Sequence, residues 1–150
     1  MSSSPAFAPK GELVLTRSFN APRDLVFKAW TDPKHLAQCW GPHGFTTKIR
    51  EMDVRPGGAW HYAMRGPDGN DYAFDGTYIE VVEPEKLVFD GTIHGGLDQH
   101  VWTEVTFTER EGKTNVRVRQ LFSFESLATR GAPIGWSQQL DRFEQYLAKL

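Results

Sequence analysis

The chain has 150 residues, of which 39% are hydrophobic and 24% charged, with a formal net charge of −2. That fits one soluble domain able to bury a core unaided; the lone Cys39 excludes an intrachain disulfide, and a near-neutral balance without a basic run excludes an electrostatic footprint for nucleic acid. No apolar run approaches the roughly 20 residues of a membrane span, and Met1 to Lys10 lacks the charged and apolar regions of a signal peptide, so the expected location is cytoplasmic.

Residues 1–11 read as a disordered lead and 12–150 as a single domain. Glu12 to Phe19 mixes apolar and polar residues as a first strand does. Asn20-Ala21-Pro22 then opens a helix with Leu25, Val26, Ala29 and Trp30 on one face. Asp32-Pro33 predicts a second start, Asp32 as N-cap and Pro33 in the first turn, and Gly41-Pro42 must end that helix quickly. From Phe45 the period changes to two. Phe45 to Val54 is a strand closed by Arg55-Pro56-Gly57-Gly58, and Trp60, Tyr62 and Met64 share the bulky face of the next. Gly66-Pro67-Asp68-Gly69-Asn70 is a hairpin connection. Tyr72, Phe74, Gly76 and Tyr78 share a face of the following strand, where Gly76 marks a bulge or a close approach. Lys86 to Ile93, Val101 to Thr108 and Thr114 to Phe124 complete the strands, with Gly91 to Gly96 as a loop; Glu104, Arg117 and Arg119 look outward as cross-strand ion pairs. Pro133 to Leu150 predicts the last helix. Trp136, Leu140, Phe143, Leu147 and Leu150 form its apolar stripe, Asp141, Arg142, Glu144, Gln145 and Lys149 its other side, and Pro133 its first turn.

Strands joined by tight turns imply an antiparallel sheet, and an amphipathic helix needs an apolar surface to lie on. The fold class is therefore α+β: a curved antiparallel sheet of about six to seven strands wrapped around a long C-terminal helix, with two short helices after strand one. The space between sheet and helix is the expected pocket.

This order resembles the helix-grip fold of the START-like (SRPBCC) superfamily, and most closely its branch of homologues of the activator of heat shock protein 90 ATPase. The resemblance spans about residues 12 to 150. It rests on Ala21-Pro22 with Val26-Phe27-Lys28-Ala29-Trp30, Trp40-Gly41-Pro42, Arg55-Pro56-Gly57-Gly58 and Gly66-Pro67-Asp68-Gly69. Gly76-Thr77-Tyr78 with Glu80-Val81, Pro84-Glu85-Lys86-Leu87-Val88, and Gly135-Trp136 with Leu140-Asp141 and Tyr146-Leu147 complete it. The superfamily includes lipid and polyketide binders, polyketide cyclases, hormone receptors and chaperone-associated domains, so the resemblance implies a fold and not one function. Two departures stand out. Cys39 replaces the first of two tryptophans often found before the Gly-Pro, and the domain that precedes this one in eukaryotic chaperone activators is lacking, which speaks against direct ATPase stimulation.

His35, Cys39 and His43 are each four apart, but Gly41-Pro42 breaks the helix before His43 and no fourth ligand is near, so no metal is expected. Cys39 near a helix end reads as a buried inert thiol. No Gly-x-Ser-x-Gly elbow occurs, and neither Gly57-Gly58 nor Gly95-Gly96 precedes a phosphate-binding helix. The aromatic set is the strongest functional signal. Trp40, Trp60, Tyr62, Phe74, Tyr78, Phe89 and Phe107 belong on or near the concave face, opposite Trp136, Leu140 and Phe143. Gln120 shares parity with Val116 and Val118 and is a buried polar contact, His61 reads as outward, and His100 as a residue at the pocket mouth.

The leading expectation is binding of a small, mostly hydrophobic ligand between sheet and helix, without catalysis and without a cofactor. The alternatives are a cyclase, hydratase or isomerase acting on a polyketide-like substrate, which needs two convergent ionisable groups, and a chaperone-associated interaction domain, which needs an exposed apolar patch with the outward Trp102 as its marker. Expected partners are thus a small ligand or a chaperone, with no nucleic acid and no membrane span; monomer and homodimer both remain open.

Overall fold

The elements are β1 (Gly11–Phe19), α1 (Arg23–Thr31), α2 (Pro33–Cys39), β2 (Thr46–Met52), β3 (Ala59–Arg65), β4 (Asp71–Val82), β5 (Lys86–His94), β6 (Gln99–Arg110), β7 (Lys113–Phe122) and α3 (Leu127–Leu147). They come from a computed structural model that describes residues 5–94, 99–124 and 127–150, the side chains of 127–132 excepted. Residues 1–4 of the lead and the Gly95-Gly96 turn lie outside the described residues.

The seven strands form one antiparallel sheet in the order β1-β7-β6-β5-β4-β3-β2, with α3 across its concave face. The expected α+β architecture is thereby observed. Asp32 caps α2 as its sequence position requires, its carboxylate accepting from the Lys34 N–H at 2.9 Å with Pro33 in the first turn.

Register explains where the interior is solid and where it is hollow. At one end of the groove Phe107 pairs with Val116, and Leu87 with Val105 and then Val118. Helix α1 packs onto this end, Phe27 and Trp30 meeting Phe107 edge-on at ring separations of 5.2 and 5.7 Å. Leu140, Phe143 and Leu147 of α3 close the same region, all buried. Toward the other end the inward residues shrink. One cross-strand row runs Phe89, Thr103, Gln120, and the next Trp60, Gly76, Gly91, Val101, Phe122. A Cβ on Gly91 would lie 2.5 Å from the Trp60 ring, so glycine at 91 makes room for that indole. One on Gly76 would lie 1.9 Å from the Asp90 carbonyl oxygen, which is the close approach expected there.

The last helix differs from the sequence expectation. It begins at Leu127 and holds Pro133 in its interior, where a proline removes one backbone donor, and it ends at Leu147. Leu150 lies beyond the end and is exposed, so the apolar stripe stops one member short.

On the convex face Lys86 contacts Glu80 at 3.5 Å and Glu104 at 3.6 Å, Arg117 approaches Glu104 at 4.0 Å, and Arg119 meets Glu12 at 2.7 Å. These are the expected outer ion pairs. Beside them Val88, Trp102 and Leu121 form a second apolar cluster against which Phe7 and Ile79 pack. Trp102 points outward as expected but is only 3% exposed, so it marks no open patch. Parity fixes the face of a strand residue and says nothing of what covers that face.

Candidate functional site

Between the sheet and α3 lies a half-open cavity of about 240 Å³, at the end of the groove where the inward residues are small. Its aromatic wall is continuous. Trp60 stacks on Tyr62 at 5.0 Å, Tyr62 lies 5.8 Å from Phe74, and Phe89 meets Trp60 edge-on at 6.0 Å. From the helix side Trp136 packs perpendicular to Trp40 at 5.6 Å and stacks on Trp30 at 6.1 Å. Such offset and edge-on arrangements hold the rings rigid around the space they leave.

The loop Trp40-Gly41-Pro42 forms one rim, and two side chains of α3 hold it. The Gln139 carbonyl oxygen accepts from the Gly41 N–H while its amide donates to the Cys39 carbonyl at 3.1 Å. Arg142 Nη1 lies 2.9 Å from the Trp40 carbonyl oxygen, 3.0 Å from that of Gly41, 3.1 Å from that of Pro42 and 3.0 Å from that of Phe45. The expectation that Arg142 lies on the solvent side of the helix is corrected: its stem reaches round to a nest of backbone acceptors roughly a hundred residues away in sequence. Gly41, at φ +99°, supplies the left-handed turn that curls these carbonyls inward.

Three of the polar side chains in the lining form a chain. The Trp136 indole N–H donates to Gln120 Oε1 at 2.7 Å, and Gln120 Nε2 donates to Thr103 Oγ1 at 3.0 Å. Gln120 is thus the buried polar contact expected from parity. Tyr62 is the one titratable side chain among the described lining residues. Burial pushes its phenol pKa far up, helped by the neighbouring Tyr78 and partly opposed by a hydrogen bond from the Trp40 side chain. The Tyr78 phenol is raised as well, by burial and then by the charge of Asp53. Both stay protonated at any physiological pH.

Of the sequence candidates, Trp40, Trp60, Tyr62, Phe74, Phe89, Gln120 and Trp136 line the cavity. Phe107, Leu140 and Phe143 lie in the packed end, and Tyr78 borders a gap of only about 20 Å³ beneath Trp60. They share the inner face with the others but stand at the end that α1 fills. Met64, Ile93, Val101, Thr103, Phe122 and Gln139 also line the cavity and were not singled out. For Val101 and Thr103 the signal was present, since they share strand parity with the inward Val105 and Phe107. His100, expected at the mouth, instead lies on the convex side, stacked 6.4 Å from Phe7 and 3.2 Å from Thr92 Oγ1.

The other early candidates are occupied elsewhere. His35 Nδ1 is 2.6 Å from the Tyr146 hydroxyl, and His43 Nε2 is 3.8 Å from Asp141. Cys39 donates to the His35 carbonyl at 3.5 Å, and burial pushes its thiol pKa up to about 12 against a small lowering by Arg142. Among the described residues no group of three His, Cys, Asp or Glu side chains is placed to hold a metal ion. Nor is any described helix long and apolar enough to cross a membrane.

A long helix gripped by a curved antiparallel sheet, with two short helices after the first strand, defines the helix-grip fold of the START-like superfamily. Within it the chain belongs to the family described as activator of Hsp90 ATPase homolog 1-like protein, whose sequence model matches residues 20–148. A structure from Chromobacterium violaceum is 27% identical, with a TM-score of 0.84 over 89% of this chain and 94% of that one. One from Mycobacterium smegmatis is also 27% identical, with a TM-score of 0.79 over 91% and 90%. One from Rhizobium leguminosarum is 26% identical, with a TM-score of 0.75 over 93% and 95%. The comparison with curated proteins found no match.

Proposed function

We propose that the protein binds a small, mostly apolar molecule in the cavity between the sheet and α3. The observation that carries this reading is the cavity itself: about 240 Å³, walled by Trp40, Trp60, Tyr62, Phe74, Phe89 and Trp136. Cores normally pack with few voids larger than a water molecule, so an apolar-walled hollow of this size forgoes the burial its walls could make. A ligand recovers that loss. The fold's ligand-binding architecture agrees with the reading, and so does the short supply of polar groups.

Native mass spectrometry of freshly extracted protein, followed by thermal-shift screening of small apolar compounds, tests it. Bound mass that leaves on denaturation, or a saturable rise in Tm, supports the proposal. A protein that carries nothing and responds to no apolar compound of fitting size contradicts it.

The enzymatic alternative needs two convergent ionisable groups, and the described lining supplies only Tyr62, with its proton held firmly by burial. The chaperone-contact alternative needs an exposed apolar patch on the outer sheet or the long helix, and Trp102, the residue that marked it, is covered. Ligand binding is therefore the reading favoured here.

A further inference from the structure

The hydrogen-bond chain inside the cavity has a fixed direction, and that direction selects a ligand chemistry. An indole N–H only donates, so the atom of Gln120 facing Trp136 must be its carbonyl oxygen. The amide nitrogen then faces Thr103, whose oxygen accepts from it. This leaves one Gln120 N–H and the Thr103 hydroxyl hydrogen without an acceptor among the described residues, while the Gln120 oxygen is engaged. Gln120 is 8% exposed and Thr103 1%, so both donors are largely withdrawn from the outer surface, and both residues line the cavity. Each of the two oxygens already accepts one hydrogen bond, so the groups left with no partner at all in this hydrogen-bond chain are its donors.

Size and charge narrow the ligand further. An apolar cavity of about 150 Å³ accommodates benzene, so 240 Å³ holds roughly ten to twelve non-hydrogen atoms, too few for a steroid or a two-chain lipid. The described lining carries no cationic or anionic side chain to pair with a ligand charge.

We propose that the cavity selects a neutral, flat, apolar molecule of one or two rings bearing a single hydrogen-bond acceptor of the carbonyl type, seated against the Gln120 amide and the Thr103 hydroxyl. This rests on the cavity being a binding site, and the test separates the two claims. Calorimetry or tryptophan-quenching titration of the full chain compares 1-tetralone, tetralin, 1-naphthoate and progesterone. Expected is binding of 1-tetralone about five- to tenfold tighter than tetralin, the worth of one buried hydrogen bond, with 1-naphthoate weaker than both and progesterone not bound. In Thr103→Val the preference for the ketone over the hydrocarbon shrinks to about twofold, while Thr103→Ser keeps it. Equal affinity for ketone and hydrocarbon in the unaltered protein overturns the acceptor proposal and leaves the binding reading standing. Tighter binding of 1-naphthoate overturns the requirement for neutrality. Tight binding of progesterone overturns the size limit. No binding of any of the four overturns the proposal and the binding reading together. The comparison in the unaltered protein decides the matter even if Thr103→Val does not fold.

Discussion

Replacing Arg142 with methionine isolates what holds the cavity rim. Its Nη1 lies within 2.9–3.1 Å of four backbone carbonyl oxygens, at Trp40, Gly41, Pro42 and Phe45. One such nitrogen carries two hydrogens, so two good bonds form at a time, each charge-assisted and worth about 1.5–3 kcal/mol when the acceptors are shielded from water. Two of the four acceptors keep other donors, Trp40 the Thr47 hydroxyl at 2.9 Å and Pro42 the Phe45 N–H at 3.1 Å. The group is also only half-buried. The expected loss is therefore about 2–3 kcal/mol rather than the sum over four contacts. Methionine keeps most of the stem packing, so the loss reports the guanidinium. Urea unfolding followed by tryptophan fluorescence reads it as a lower midpoint at unchanged slope. Arg142→Lys, which restores the charge without the planar fork, should recover about half. An unfolding free energy for Arg142→Met within about 0.5 kcal/mol of that of the unaltered protein would refute the claim that this residue clamps the loop.

Phe143 is fully buried, and Phe143→Ala should cost about 3–5 kcal/mol in denaturant unfolding, whereas Leu150→Ser, beyond the helix end, should stay within about 0.5 kcal/mol. Gly91→Ala forces a methyl into the Trp60 ring and should cost about 1–3 kcal/mol together with a shift in tryptophan emission. Cys39 keeps its proton up to about pH 12 when folded, against an ordinary value of 9.0. Above pH 9 the unfolded chain releases that proton first, so this contribution to stability is complete below pH 9 and is lost as pH rises towards 12. Iodoacetamide at pH 8 should accordingly label native Cys39 very slowly and the urea-unfolded chain quickly; fast native labelling would contradict its burial.

Local chemistry made most of the scaffold legible. The alternation of Trp60, Tyr62 and Met64, the Asp32-Pro33 start and the turn at Gly66 to Asn70 each act over a few residues, and each appears where expected. Pro133 misled because proline is favoured in a first turn, yet tertiary packing carries α3 through it from Leu127. For the site, parity found the inner face but not the position along the groove. That is why Phe107 and Tyr78, on the same face as Phe89, miss the cavity that Phe89 lines. The Gln139 and Arg142 clamp joins residues roughly a hundred positions apart and leaves no periodic trace. Trp102 likewise looked exposed because its cover, Phe7, belongs to a stretch without regular structure.

The central claim is that an apolar ligand enters between the sheet and α3, and the indole N–H signals of the protein report this directly. In an NMR titration with 1-tetralone, the Trp136 indole and Gln120 side-chain amide resonances should shift with a common saturation curve, because both line the cavity. The Trp102 indole, on the opposite face of the sheet, should stay in place. Saturable shifts at Trp102 with none at Trp136 and Gln120, or no shift anywhere, would contradict the account.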